Sequence, residues 1–393
     1  MTSIAAAASA PDVPAPRSDA IPWHVWAVLF AATSAVVGVI WDISWHRTIG
    51  RDTFWTPAHM AIYASGIIAG TSCGWLVLQT TFAGSEVERA ASVRFWGFRG
   101  PLGAWLCIWG ALAMIVSAPF DNWWHNAYGL DVKVLSPPHA ILALGFTGIE
   151  LGAVVMVVAL QNRAGGGGGR GGAKPYGLLL AYGFGILLLN KAIMGFEYIG
   201  FPNSAHNGLY YEVCAAIFPL LLIAGARASS LRWPATTAAV VYIGVTLIML
   251  WVLPVFPATP KLAPVYRPLT HMAPPPFPLL LVVPAIGVDL WMQRMGTGRD
   301  WLLAPLLGVT FLAALFVTQW FATKFLISPA SENFFFGTNR WNYNSLPGDF
   351  EHRFWNIRND PVTPLKLTVA AVLAMVSSRL GLWLGNGLAR VRR

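Results

Sequence analysis

The feature that most restricts the fold is a recurrence of apolar runs, each roughly twenty residues long, from one end of the chain to the other. A bilayer core is roughly 30 Å thick, and about 20 helical residues cross it. Ten segments qualify as candidate spans: 23–45, 56–80, 101–120, 136–161, 176–197, 207–228, 232–254, 276–293, 301–325 and 364–387. Hydrophobic residues make up 56% of the 393 and charged residues only 11%. A division into soluble domains, which length alone would allow, is therefore excluded. The expectation is an all-α fold, a polytopic transmembrane helical bundle of about ten spans set in a lipid bilayer.

Cys73, Cys107 and Cys214 all fall inside candidate spans and form no CxxC pair, so neither a disulfide framework nor a thiolate metal site is expected. Residues 1–22, rich in Ala, Pro and Ser, lack the basic-then-apolar order of a cleavable signal and read as a disordered tail. The net charge of +9 does not argue for a nucleic-acid partner, because basic residues beside spans chiefly set orientation. With a cytoplasmic N-terminus, the inner loops hold Arg89, Arg94, Arg99, Arg163, Arg170, Lys174, Arg227, Arg232, Arg294 and Arg299. The first three outer loops hold only Arg47, Arg51 and Lys133. Both termini are thus expected in the cytoplasm. The stretch NRAGGGGGRGGAKP (162–175) reads as a flexible inner linker. It separates a four-helix half (23–161) from six further spans (176–393) that include an aromatic outer loop, 326–363.

On this topology the histidines sort to one side. Of eight, only His24 is at the inner side; His46, His59, His125, His139, His206, His271 and His352 lie at or beyond the outer ends of spans. Within that group lies a duplication. Residues 42–59 read DISWHRTIGRDTFWTPAH and residues 121–139 read DNWWHNAYGLDVKVLSPPH. Both follow D-x3-H-x3-G-x-D, then a Ser or Thr, a Pro and a His. Asp42 and His46, like Asp121 and His125, stand four residues apart, on one face of a helix end. Thr56 and Ser136 are placed as N-caps with Pro57 and Pro137 at the first helical position, which brings His59 and His139 into the opening turn of the next span. Gly50 and Gly129 permit a tight bend. Asp52 and Asp131 are candidates for orienting imidazole N–H groups. Two imidazoles and a carboxylate suit copper, iron or zinc.

The first copy resembles the signature of the third of the three subunits in the copper membrane monooxygenases, the particulate methane and ammonia enzymes. There a D-x3-H-x12-H triad with an Arg-Asp-Thr and a Thr-Pro-x-His string binds copper. The matching positions are Asp42, His46 and His59, with Arg51-Asp52-Thr53 and Thr56-Pro57. The second copy is similar to the family's neighbouring N-x3-H-x13-H site through Asp121, His125 and His139, with Asp in place of Asn. The resemblance covers residues 23 to about 160 with motif support, extends loosely to 228, and leaves the last four spans and the aromatic outer loop without a counterpart. It implies copper, O₂-dependent oxidation of a small apolar substrate or ammonia, partner subunits and an external electron donor. It also implies a bacterial inner membrane, with the metal sites facing the periplasm.

Further polar residues are expected to assist. Glu197 and His206, in an outer cluster, are candidate ligands or relays. Glu150 and Lys191 lie inside spans, where ionisable groups are expensive and functional by default; they read as an ion pair or a proton path. Two other functions compete with the oxidase: a copper- or zinc-handling or assembly protein, and a structural metal clasp.

Overall fold

The computed structural model describes residues 21–50, 52–129, 136–165, 170–200, 202–261, 269–296, 298–339 and 360–393. Asp131, His352 and most of the aromatic loop lie outside the described residues. The chain is almost wholly helical. Its long helices are α1 (Trp23–Thr48), α2 (Pro57–Phe82), α4 (Leu102–Tyr128), α5 (Pro137–Gly165), α6 (Arg170–Met194), α8 (Gly208–Ala228), α9 (Pro234–Val252), α11 (Asp300–Leu326) and α12 (Pro364–Leu388). Shorter ones are α3 (Glu86–Ala90), α7 (Phe196–Ile199) and α10 (Val282–Met295). A small hairpin, β1 (Val93–Phe95) with β2 (Phe98–Gly100), follows α3. Among the described residues, nine helices are long and apolar enough to cross a membrane. The protein is a multi-pass membrane protein, as the apolar runs require.

The eighth candidate span departs from expectation. Residues 276–293 are not one helix: the chain is extended up to Leu280 and α10 begins only at Val282. The segment still passes from one end of the bundle to the other. At the end shared by the α1 C-terminus, Ser44 Oγ donates to Ala273 O, and the Arg47 guanidinium donates to Pro274 O at 3.1 Å. At the opposite end Gln293 Nε2 donates to Arg232 O. Non-helical backbone at membrane depth is tolerated where protein buries it and supplies partners. Here Pro274, Pro275, Pro276 and Pro278 have no N–H to satisfy. The first donors after them are matched, Leu279 N to Tyr242 Oη at 3.0 Å and Leu280 N to Gln319 Oε1 at 3.2 Å. Leu279–Val283 carry the apolar signal, and the prolines before them keep the chain out of a helix.

The Gly-rich stretch is also shorter as a linker than expected. The α5 helix continues to Gly165 and α6 begins at Arg170. Asn162 Nδ2 donates to Leu388 O and Val391 O, tying α5 to the C-terminal helix. One continuous hydrophobic core runs from Val25 of α1 through Phe184, Phe218 and Phe311 to Leu382 of α12, so the two halves are packed together.

The hairpins that matter for function are α1–α2 and α4–α5. Each is closed by intimate backbone contact. A Cβ on Gly38 would stand 2.8 Å from Ile62 Cγ1, and one on Gly110 would stand 2.6 Å from Gly145 O and 2.8 Å from Ile149 N. Small residues at such points let helices approach in a membrane, where packing replaces the hydrophobic drive between helices.

Candidate metal centre

The first cluster forms where α1 ends and α2 begins. Asp42 and His46 leave one face of the last turns of α1. Gly50, at φ 83°, turns the chain in a region that side chains disfavour. Thr56 sits at the N-cap with Pro57 behind it, but its hydroxyl does not cap the helix. It accepts instead from Thr53 N at 2.8 Å, fixing the loop that carries Asp52. His59 then enters from the first turn of α2.

Four side chains converge. His59 Nε2 lies 3.2 Å from Asp42 Oδ1 and 3.3 Å from Asp52 Oδ2. His46 Nε2 lies 3.7 Å from Asp42 Oδ2 and 3.5 Å from Asp52 Oδ2. Donors bound to one ion at about 2.0–2.2 Å in tetrahedral geometry stand roughly 3.3–3.6 Å apart. The observed spacings fall around that value. Asp52 therefore stands among the donor atoms themselves, not behind them.

The second cluster repeats the design at α4 and α5. Asp121 Oδ1 lies 3.5 Å from His125 Nε2 and 3.2 Å from His139 Nε2. The His125 Nδ1 faces Gly129 O at 3.0 Å. A carbonyl only accepts, so this bond assigns the proton to Nδ1 and leaves the Nε2 lone pair towards Asp121. Ser136 Oγ accepts from His139 N at 3.5 Å, a long cap. Donor atoms within 4.8 Å of one another, enough to hold a metal ion, come from Asp42, His46 and Asp52 in the first cluster and from Asp121, His125 and His139 in the second. His59, expected as the third ligand of the first copy, faces both carboxylates but stands outside that donor group, and Asp52 takes its place.

The electrostatics fit a cation. Asp42 Oδ1 and Asp121 Oδ1 are buried without a hydrogen bond of good geometry, each facing an imidazole nitrogen. Buried carboxylate oxygens without donors are costly unless a positive charge sits beside them. The Asp52 carboxyl is pulled down to about 2. Hydrogen bonding from His46 is the largest cause, burial opposes it, and the charges of His46 and His59 lower it further. A divalent ion held by neutral imidazoles would take the place of these two positive charges opposite Asp42 and Asp52. The His46 side chain is 37% exposed against 12% for Asp52, so the cluster opens on the His46 side.

The two clusters are neighbours. The α2 helix, which opens with His59, packs on α4, which ends with Asp121 and His125. Tyr63 lies one turn beyond His59 on α2, with ring centroids 6.1 Å apart. Sequence reasoning missed it, although the H-x3-Y spacing places both side chains on one helix face.

The other candidates lie elsewhere. Glu150 is buried in α5, about 16 Å of helix rise from His139. Its Oε2 accepts from Asn190 Nδ2 at 2.7 Å, while Lys191 Nζ donates to Thr147 Oγ1 at 2.7 Å. The expected Glu150–Lys191 ion pair is replaced by these two separate bonds, because Asn190 and Thr147 are the nearer partners. Glu197 is on α7, which packs on α6 and α8. His206 stacks edge-on against Trp320 at 4.6 Å, and burial and then Lys324 lower its pKa. Neither belongs to a cluster among the described residues.

Comparison with known protein families, curated proteins and solved structures returned no match to this chain.

Proposed function

We propose that this protein is a copper-dependent membrane monooxygenase, or the metal-bearing subunit of one, acting on a small apolar substrate or ammonia. In this reading the clusters face the periplasm across a bacterial inner membrane. The observation that carries it is the convergence of Asp42, His46 and Asp52 at donor spacing, with His59 facing both carboxylates and a second, similar cluster beside it. The resemblance of residues 42–59 to the copper-binding signature selects copper over iron or zinc.

Bound copper would supply the activation of O₂. The chain's own residues set the conditions. Asp42 and Asp52 balance charge, and Gly129 fixes the His125 tautomer. Exposed Trp55, Trp123 and Tyr128 sit at the cluster end, where aromatic side chains suit the headgroup level and an apolar substrate leaves the bilayer. One oxygen atom enters a C–H or N–H bond and the other leaves as water, so two electrons and two protons are consumed. An external reductant must deliver those electrons.

The test uses the full chain in lipid nanodiscs, alone and with co-purifying subunits. Metal content is measured beside incorporation of ¹⁸O from ¹⁸O₂ into a short alkane or ammonia. Wild type should bind copper and label product; His46→Ala/His59→Ala should lose both. Stoichiometric metal without substrate-dependent oxygen uptake would overturn the oxidase reading and leave a metal-handling or structural role.

A further inference from the structure

On the far side of α1 from the first cluster lies an apolar pocket of about 70 Å³. Ile40, Ile43, Ser44 and Arg47 contribute from α1, roughly half a turn around from the Asp42/His46 face. Ile193 of α6, Tyr242 of α9 and the extended Pro-rich crossing form its other walls, and one side is open. A water needs about 10–15 Å³ of such space, so the pocket has room for about five or six small heavy-atom groups. Nothing in the metal chemistry proposed above uses it.

Its polar chemistry is sparse and specific. Ser44 Oγ is engaged with Ala273 O, the Arg47 guanidinium with Pro274 O, and Thr246 Oγ1 with Tyr242 O. Tyr242 is the exception. It is 2% exposed, and its hydroxyl oxygen accepts from Leu279 N at 3.0 Å. The hydroxyl proton has no acceptor among the described residues, and both Tyr242 and Leu279 line the pocket. A phenol both donates and accepts, and a buried one normally finds a partner for each function. An apolar wall with one unmatched donor defines the complementary ligand.

We propose that this pocket binds a small neutral molecule with an apolar body and a single oxygen acceptor, a short ketone or aldehyde, which takes the Tyr242 proton. A carboxylate is disfavoured because the one cation at the rim is already engaged. A pure hydrocarbon fills the space but leaves the phenol unmatched. The inference does not depend on the oxidase reading, since neither metal nor turnover enters it.

The experiment reads the pocket directly. Protein labelled at isoleucine δ1-methyls, in nanodiscs and stripped of metal, is titrated with 2-butanone and with 2-methyl-1-butene, which replaces C=O by C=CH₂. Butanone should shift the methyls of Ile40, Ile43 and Ile193 and bind more tightly than the alkene. Tyr242→Phe should weaken butanone about five- to tenfold, the worth of one hydrogen bond, and leave the alkene unchanged. Ala192→Phe, which fills the pocket, should abolish both sets of shifts. Absence of shifts at these methyls in wild type would overturn the proposal. So would an equal loss of both probes in Tyr242→Phe, which would mark a structural role for the phenol. Because the metal is removed throughout, failure of the oxidase reading leaves this result untouched.

Discussion

Asp52 offers the sharpest test of how the first cluster works. Asp52→Asn keeps the size and one acceptor oxygen and removes the charge. The oxygen it alters stands 3.3 Å from His59 Nε2 and 3.5 Å from His46 Nε2. Loss even of a carboxylate that only supports metal-bound imidazoles weakens affinity about 10–100-fold, and loss of a donor should cost at least as much. With free metal at 100 times the wild-type Kd, binding stabilises the fold by about 2.7 kcal/mol. Tenfold and hundredfold weaker sites leave about 1.4 and about 0.4 kcal/mol by the same relation. The metal-dependent increment, read as the difference between unfolding with and without metal, should therefore shrink by roughly 1.3–2.3 kcal/mol, and the metal-free protein should lose in addition the interaction that holds the Asp52 carboxyl at about 2. The assay is chelator-competed metal titration in nanodiscs, paired with thermal unfolding with and without metal. The Asp121/His125/His139 cluster should keep its affinity apart from a small electrostatic change. If Asp52→Asn titrates like wild type while His46→Ala/His59→Ala loses metal, Asp52 is not among the donors and the Asp42/His46/Asp52 group is wrong. Equal weakening at both clusters would mean that they share one centre.

Two further outcomes follow from the packing. Gly110→Ala should force α5 away from α4, cost about 1–3 kcal/mol by overpacking and weaken metal binding at the second cluster while sparing the first; site-resolved metal titration checks this. Glu150→Leu should strand Asn190 Nδ2 without an acceptor and cost about 1–3 kcal/mol in thermal unfolding, whereas Glu150→Gln, which keeps an acceptor there, should stay near wild type.

How much of this was legible depends on which physical signal each feature carries. Hydropathy located the spans closely where it coincides with helix chemistry, as at 301–325 against Asp300–Leu326 and 364–387 against Pro364–Leu388. It failed at the start of 276–293, where Leu279–Val283 carry the apolar signal but the prolines before them cannot be donors in a helix. The spacing of Asp42, His46 and His59 predicts a shared location because helix periodicity and a proline-started turn are local. Asp52 was harder. It lies in a loop beyond Gly50, where no period says which way a side chain points. Tyr63 was readable from its position one turn past His59 and was overlooked. The closeness of the two clusters was not readable at all, since it arises from α2 packing on α4.

The placement of charge within the bundle bears on what kind of metal protein this is. Several polar groups in and beside the membrane interior are matched locally. Asp289 accepts from Ala235 N, Thr236 N and Thr236 Oγ1, and so caps α9, whose own N-cap residue Trp233 provides no side-chain bond. Arg227 pairs with Asp300, which also accepts from Asn386 Nδ2. Arg379 covers the Trp301 ring at 4.5 Å. These are fastenings between helices, and among the described residues they do not form a ladder of metal donors from one end of the bundle to the other. The carboxylate–imidazole groups gather at a single end of the bundle. A transporter needs donors at successive depths, and the described residues set theirs at one.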